Sequence, residues 1–189
     1  MRLALAFLFM AAACSAEPAK LRPENWAEQV VGSPLGNFYR VSGELFRSEQ
    51  PTPPDIATLK QFGIRTIISL RHFHTDSPAF AHAGIATRQY EMNAGSLSVP
   101  QLIDVLRMIQ TAPKPVLVHC WHGSDRTGFV VAGYRVVFMN WTPEQAVDEL
   151  RHGGFGLHEW WYPNIAKTLE KLDVAAVRAA VFKKKPSPP

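Results

Sequence analysis

The stretch best equipped for chemistry is His119-Cys120-Trp121-His122-Gly123-Ser124-Asp125-Arg126-Thr127-Gly128. A short apolar run, Pro115 to His119, precedes it, and an almost wholly apolar run, Thr127 to Met139, follows it. This pattern predicts a buried strand that turns into a buried helix. At such a junction the N–H groups of a tight turn and of a helix N-terminus converge and cradle an anion. Cys120 at the start of the turn sits over the positive end of the helix, where a thiolate is favoured, and Arg126 favours it further. Arg126 can also grip two oxygens of a phosphate at once. Thr127 can donate its hydroxyl to the thiolate and help the sulfur leave. Gly123 lets the backbone bend toward the ligand, and Gly128 allows close helix packing. The chemistry these parts fit is nucleophilic phosphoryl transfer. Cys120 attacks phosphorus, Arg126 and the N–H groups of the loop (Trp121, His122, Gly123, Ser124, Asp125) stabilise the equatorial oxygens, and water hydrolyses the cysteinyl-phosphate. The cradle and Arg126 supply the positive charge, so no cofactor and no metal is called for.

Such a loop needs a sheet beneath it and helices around it. Residues 38–47 read as a hairpin about Ser42-Gly43. Thr52-Pro53-Pro54-Asp55 opens a helix whose buried stripe is Ile56, Leu59 and Phe62 and whose stop is Gly63. Ile64 to Leu70 reads as an interior strand, residues 71–84 as a polar loop with a short helix, and Ile85 to Met92 as a weaker strand. Ser98-Val99-Pro100-Gln101 is a capping box; the helix after it puts Leu102, Val105, Leu106 and Ile109 on one face. Thr142-Pro143-Glu144-Gln145 is a second capping box, and further helices are expected over 160–172 and 174–182. Alternating strands and helices give an α/β class: a single domain with a central, mostly parallel β-sheet flanked by helices.

The chain has 189 residues, 47% of them apolar, enough for one domain with a substantial core. Its net charge of +4 suits an anionic substrate and is too small to argue for nucleic acid. Two cysteines exclude a disulfide-rich scaffold and a Cys-rich zinc module. Residues 1–16 have the order of a secretory signal peptide: Arg2, an apolar run from Leu3 to Ala13, then small residues. Cleavage after Ala16 would leave a chain starting at Glu17. Ala12-Ala13-Cys14 offers a lipoprotein-type alternative in which a lipidated Cys14 tethers the protein to a membrane; it ranks second because Ala11 stands where a Leu-like residue is expected. The expected location is therefore secreted or periplasmic. Residues 17–37 read as an irregular lead-in, 38–182 as the domain, and 183–189 as a frayed basic tail. The expected molecule is a monomer acting on a phosphorylated protein or a small phosphoester.

The run from His119 to Gly128 resembles the His-Cys-x5-Arg-Thr/Ser signature of cysteine-dependent protein-tyrosine and dual-specificity phosphatases. The resemblance is nearest to compact secreted bacterial members and to the atypical dual-specificity branch. Phe46-Arg47-Ser48-Glu49-Gln50-Pro51 resembles the leading segment of that branch, and Ile64 to Arg71 its following strand. Arg135, Leu150-Arg151-His152-Gly153-Gly154 and Trp160 are similar to the bacterial subset, so the resemblance covers roughly residues 38–172. It implies a protein-tyrosine-phosphatase-like fold and hydrolysis of phosphotyrosine, with phosphoserine and phosphothreonine as further substrates. Relatives of the branch also act on inositol phosphates, pyrophosphates or lipids. The variable loop positions Trp121, His122, Ser124 and Asp125 carry no Lys or Arg, which counts against a polyanionic substrate. A phosphate-binding module without turnover is the alternative of a different class, and a rhodanese-like or arsenate-reducing enzyme ranks last.

In the family, an Asp on a separate loop before the Cys usually protonates the leaving group. Here the corresponding segment, Gln89 to Ser96, contains no Asp, and Asn93 stands where it would align. Asp125 is the first replacement, by resemblance to myotubularin-like lipid phosphatases; its other reading is a brace for the loop. Glu91 and Asp76 follow, and Asp76 has the alternative of pairing with Arg71. His119 is expected to hold the loop by hydrogen bonds, with a catalytic base as its second reading, and His122 to face outward, toward substrate or only toward solvent. His72, His74 and His82 lack ligand spacing and read as solvated or capping residues. Trp160-Trp161-Tyr162 reads as core first and as the wall of an aromatic pocket second.

Overall fold

The computed structural model describes residues 22–183. The signal segment 1–16 with Cys14, the start of the lead-in at 17–21 and the tail from 184 lie outside the described residues.

The sheet has six strands: β1 (Glu28–Gln29), β2 (Tyr39–Arg40), β3 (Leu45–Ser48), β4 (Thr66–Ser69), β5 (Ala86–Gln89) and β6 (Val116–His119). Their order is β1-β2-β3-β6-β4-β5. The pairs β3–β6, β6–β4 and β4–β5 are parallel, and β1–β2–β3 are antiparallel. All positions of β3, β4 and β6 are buried, in keeping with the apolar runs of β4 and β6; β3 also buries Arg47 and Ser48. Alternation divides the core in two. Phe46, Ile67 and Leu117 point to one face, where they meet Leu59 of helix α1 (Ile56–Gln61) and Phe80 of helix α2 (Ala79–His82). Leu45, Ile68, Val116 and Val118 point to the other face. There they meet α3 (Val99–Thr111), α4 (Asp125–Phe138), α5 (Pro143–His152), α6 (Asn164–Glu170) and α7 (Val174–Phe182).

The hairpin, both capping boxes and the buried face of α3 lie where the sequence puts them. Three expectations change. The lead-in is not wholly irregular: Glu28 and Gln29 form edge strand β1 opposite Arg40 and Tyr39. The central helix starts at Asp125, two residues earlier than its apolar run, because the turn before it winds directly into the first helical residues. The helix expected from residue 160 starts at Asn164. Before it, the backbone N–H groups of Trp161 and Tyr162 both donate to the His158 carbonyl, and Pro163 occupies the N-cap. In this turn Trp160 and Trp161 are exposed rather than core, stacked edge-on at 4.7 Å. Ile165, Ala166 and Leu169 bury that helix instead.

One buried ion pair ties the helical layer together. Arg135 of α4 meets Glu149 of α5 through two parallel bonds, Nε to Oε2 at 2.8 Å and Nη2 to Oε1 at 2.6 Å. Arg135 also donates to the Val41 carbonyl at 3.1 Å and lies over the Trp141 ring at 4.2 Å. Glu149 accepts from the Ala27 amide. Removing one partner of a buried, hydrogen-bonded pair strands the other charge, which costs about 3–5 kcal/mol. Urea unfolding of Glu149→Ala should show a loss of that size, and Arg135→Met/Glu149→Leu should lose markedly less.

Candidate active site

The turn after β6 is held from outside by its carbonyl groups. The Trp121 carbonyl accepts from the Gln50 amide at 3.0 Å, and the His122 carbonyl accepts from Asn37 Nδ2 at 2.8 Å. The Gly123 carbonyl accepts from Arg47 Nη2 at 2.5 Å. Each partner therefore pulls a carbonyl away from the centre of the turn. Among the described residues, no backbone N–H from Trp121 to Thr127 donates a hydrogen bond; the first to do so is Gly128, to the Ser124 carbonyl. The sequence expectation of a cradle of free N–H groups at a helix N-terminus is met in this geometry. Gly123 has φ +72°, and a Cβ there would lie 2.5 Å from the Ser48 carbonyl oxygen. Only glycine fits a backbone at that angle and that proximity.

Cys120 lies at the base of the turn, 2% exposed. Beneath it, Arg47 projects from β3 toward α4, 1% exposed, with its guanidinium 3.7 Å from the Phe155 ring centre. Burial lowers Arg47 to about 10, against the opposing pull of Glu149 and Cys120. The sequence placed Arg47 only within a family-like segment; its position as a buried cation under the loop comes from the structure. Thr127 is fully buried and its hydroxyl has no hydrogen-bond partner among the described residues, so the expected bond to Cys120 is not formed here.

His119 closes the base of the turn, as expected. Its Nδ1 lies 3.0 Å from the Cys120 carbonyl and its Nε2 2.9 Å from Asp76 Oδ2. Gln50 Nε2 donates to Asp76 Oδ1 at 2.7 Å, while Gln50 Oε1 accepts from Arg71 Nη1 at 3.2 Å. Asp76 thus braces His119 and reaches Arg71 only through Gln50. It is not a free acid. Burial works to raise its carboxyl, but hydrogen bonds from His119 and Gln50, with the His119 charge, outweigh burial and hold it below the usual carboxylate range.

Arg126, Asp125, Trp121 and His122 line one pocket of about 300 Å³ with Ala94, His158, Trp161 and Tyr162. Arg126 Nη1 donates to the Met92 carbonyl at 3.4 Å. Trp121 is exposed and carries the Arg71 guanidinium 4.2 Å from its ring centre. Asp125 is buried and accepts twice from one residue: Oδ1 from the His158 backbone N–H and Oδ2 from His158 Nδ1, both at 2.9 Å. Its bracing role is the one seen. Asn93 spends its side chain on the Gly95 amide at 3.0 Å, and Glu91 lies 3.6 Å from His72, so neither serves the pocket. Trp161 and Tyr162 form a pocket wall, the second of their two readings. His158 is the site residue that sequence reasoning missed; nothing in the local pattern of Gly156-Leu157-His158 signals a partner 33 positions earlier. A larger cleft of about 790 Å³, lined by Tyr90, Asp104, Arg107 and Phe182 among others, contains none of the loop. Among the described residues no group of three His, Cys, Asp or Glu side chains is placed to hold a metal ion.

The depressed Asp76 carboxyl makes a pH prediction. Its stabilisation is fully present above the unfolded value of about 4 and is lost as pH falls through the lower folded value. The stability gap between wild type and Asp76→Asn should therefore be constant from pH 7 to pH 5 and shrink below pH 4. Urea midpoints across that range check it, and a gap that grows in acid would contradict the assignment.

Comparison with known proteins agrees with this geometry. The profile of the tyrosine phosphatase family matches residues 33–155. The dual specificity protein phosphatase TpbA of Pseudomonas aeruginosa is 35% identical over 153 residues, which cover 80% of this chain and 69% of that protein. A crystal structure of TpbA in complex with pTyr superposes with a TM-score of 0.77 at 31% identity, covering 86% of this chain and 99% of that one. The inositol diphosphatase DSP3 of Arabidopsis thaliana is 26% identical over 162 residues, 80% of this chain and 77% of its own. A cradle of free amides over a buried cysteine, inside a fold and sequence shared this widely, has one family reading: the chain belongs to the tyrosine phosphatase family, in its cysteine-dependent, metal-independent protein-tyrosine/dual-specificity class.

Proposed function

We propose that the protein hydrolyses phosphotyrosine monoesters, with phosphoserine and phosphothreonine as slower substrates, through a cysteinyl-phosphate on Cys120. The observation that carries this reading is the run of N–H groups from Trp121 to Thr127 that donate no hydrogen bond among the described residues, in the turn that follows a buried cysteine. The three terminal phosphate oxygens are the ligand such a set can satisfy together. Cys120 Sγ attacks phosphorus as the ester P–O bond breaks. The amides hold the equatorial oxygens, and Arg126 adds a bidentate grip that strengthens as their charge spreads. Water then attacks phosphorus, the P–S bond breaks, and phosphate leaves. The buried Thr127 hydroxyl supports this cycle: a buried donor without a partner among the described residues costs roughly 1–3 kcal/mol, and donating to the Cys120 thiolate as it leaves phosphorus would offset that cost.

The substrate reading rests on the pocket. Trp121, Trp161 and Tyr162 offer aromatic walls beside Arg126, which suits a phosphorylated phenol. Arg126 is the only Lys or Arg among the lining residues, and Asp125 adds a negative charge, which disfavours a polyphosphorylated ring. Residues 1–16 support export, so the substrates would be exported phosphoproteins in a periplasmic or extracellular setting.

Hydrolysis of p-nitrophenyl phosphate in reducing buffer with chelator tests the reaction. Wild type should turn over, Cys120→Ser should abolish turnover, and Arg126→Lys should lower kcat by about 10²–10³-fold. No turnover by folded, reduced wild type would overturn the assignment. Phosphotyrosyl peptides should then exceed inositol phosphates and pyrophosphates in kcat/KM; the reverse ranking would move the substrate class to the inositol series.

A further inference from the structure

We propose that His158 is the proton donor to the leaving group, with Asp125 as its positioning residue; the inference rests on the phosphoryl-transfer reading above and deepens it. A phenoxide or alkoxide leaving from phosphorus needs a proton, and the segment between β5 and α3 supplies no free acid. Asn93 has no acidic proton and caps Gly95, and Glu91 pairs with His72 and Gln89. Asp76 is buried behind His119, and both oxygens of Asp125 are occupied by His158.

The Asp125–His158 pair has the form that catalytic imidazoles take. The carboxylate receives Nδ1–H at 2.9 Å and also the backbone N–H of the same residue at 2.9 Å, so ring and main chain are fixed together. A carboxylate on Nδ1 sets the tautomer and leaves Nε2 as the nitrogen that exchanges protons. Nε2 makes no hydrogen bond among the described residues. His158 lines the same pocket as Arg126, and its side chain is 44% exposed, open to proton exchange with solvent. With the phosphoryl group seated on the loop, the organic part of the ester must occupy this pocket. The charged and titratable groups facing His158 are Asp125, Arg126 and His122 from the loop and helix, and Tyr162 from its own segment.

The proton bookkeeping closes. The P–O bond breaks as Cys120 Sγ bonds to phosphorus, and imidazolium Nε2–H passes its proton to the departing oxygen. Neutral His158 then takes a proton from the water that attacks phosphorus. The P–S bond breaks, the thiolate is restored, and His158 is again protonated.

The test compares leaving groups in the full chain: wild type, His158→Gln and Asp125→Asn, each verified as folded by thermal melting. On p-nitrophenyl phosphate, whose leaving group needs little protonation, His158→Gln should lose at most a few-fold in kcat. On phenyl phosphate it should lose about 10²-fold or more in kcat. Asp125→Asn should show the same pattern at smaller size. A uniform fall on both substrates, or no fall on either, would overturn the proposal. So would Asp125→Asn losing phenyl phosphate turnover while His158→Gln keeps it, which would make Asp125 the acid. Wild-type turnover of p-nitrophenyl phosphate that disappears in Cys120→Ser would show the phosphatase reading standing whichever way His158 falls.

Discussion

A loop whose N–H groups all face one point is unfavourable by itself, because peptide dipoles aligned inward repel and lack partners. The rest of this structure is arranged around that constraint. The carbonyls of Trp121, His122 and Gly123 are each captured from outside, by Gln50, Asn37 and Arg47 in turn. None of these partners is near the loop in sequence. They come from the segment between β2 and β1 and from the end of β3, which is why β3 must lie beside β6 in parallel register, Ser48 opposite His119. Asn37 also donates to the Phe155 carbonyl at 2.9 Å, so the anchor that holds His122 fixes the segment leading to His158.

Charge is placed in layers around the same point. Arg47 lies beneath the loop, buried and held by a carbonyl and an aromatic face. Arg126 lines the pocket, and Arg71 rests on Trp121 at its edge, where burial and the nearby Arg126 both lower its affinity for the proton. Two neighbouring carboxylates are committed elsewhere, Asp76 to His119 and Glu149 to Arg135, while Asp125 stays in the pocket wall against His158. The first two are thereby kept from neutralising the cradle. This separation of cations toward the anion site and anions toward structural partners is what lets a domain of modest net charge concentrate positive potential at one place.

Much of this was legible in the residue order. The strand-to-helix junction, the capping boxes at Ser98 and Thr142, and the apolar face of α3 are short-range patterns, set by the 3.6 and 2.0 periods and by cap chemistry over a few residues. Cys120, Arg126 and Gly123 were legible for the same reason, since one turn contains them all. What escaped were pairings between distant segments. Asp76 reads in the sequence as a candidate acid or as a partner of Arg71, five residues away, but it is bound to His119, 43 residues away. The aromatic run at 160–162 reads as core first and pocket wall second, because aromatics near a helix start usually pack inward. Pro163 and the bonds to the His158 carbonyl made it a turn that exposes Trp160 and Trp161.

Residue order alone points to the candidate centre: a cysteine, an arginine and glycines at a spacing that a single strand–turn–helix must bring together. The family resemblance adds what is missing, since Asn93 stands where the upstream Asp would align. The surroundings of that centre follow from tertiary packing. Arg47 beneath the loop, Asp76 behind His119, and His158 against Asp125 depend on sheet order and on the direction in which each strand and turn presents its side chain. Local patterning selects secondary structure, but contacts across tens of residues arise only when the core closes and buried polar groups must find partners.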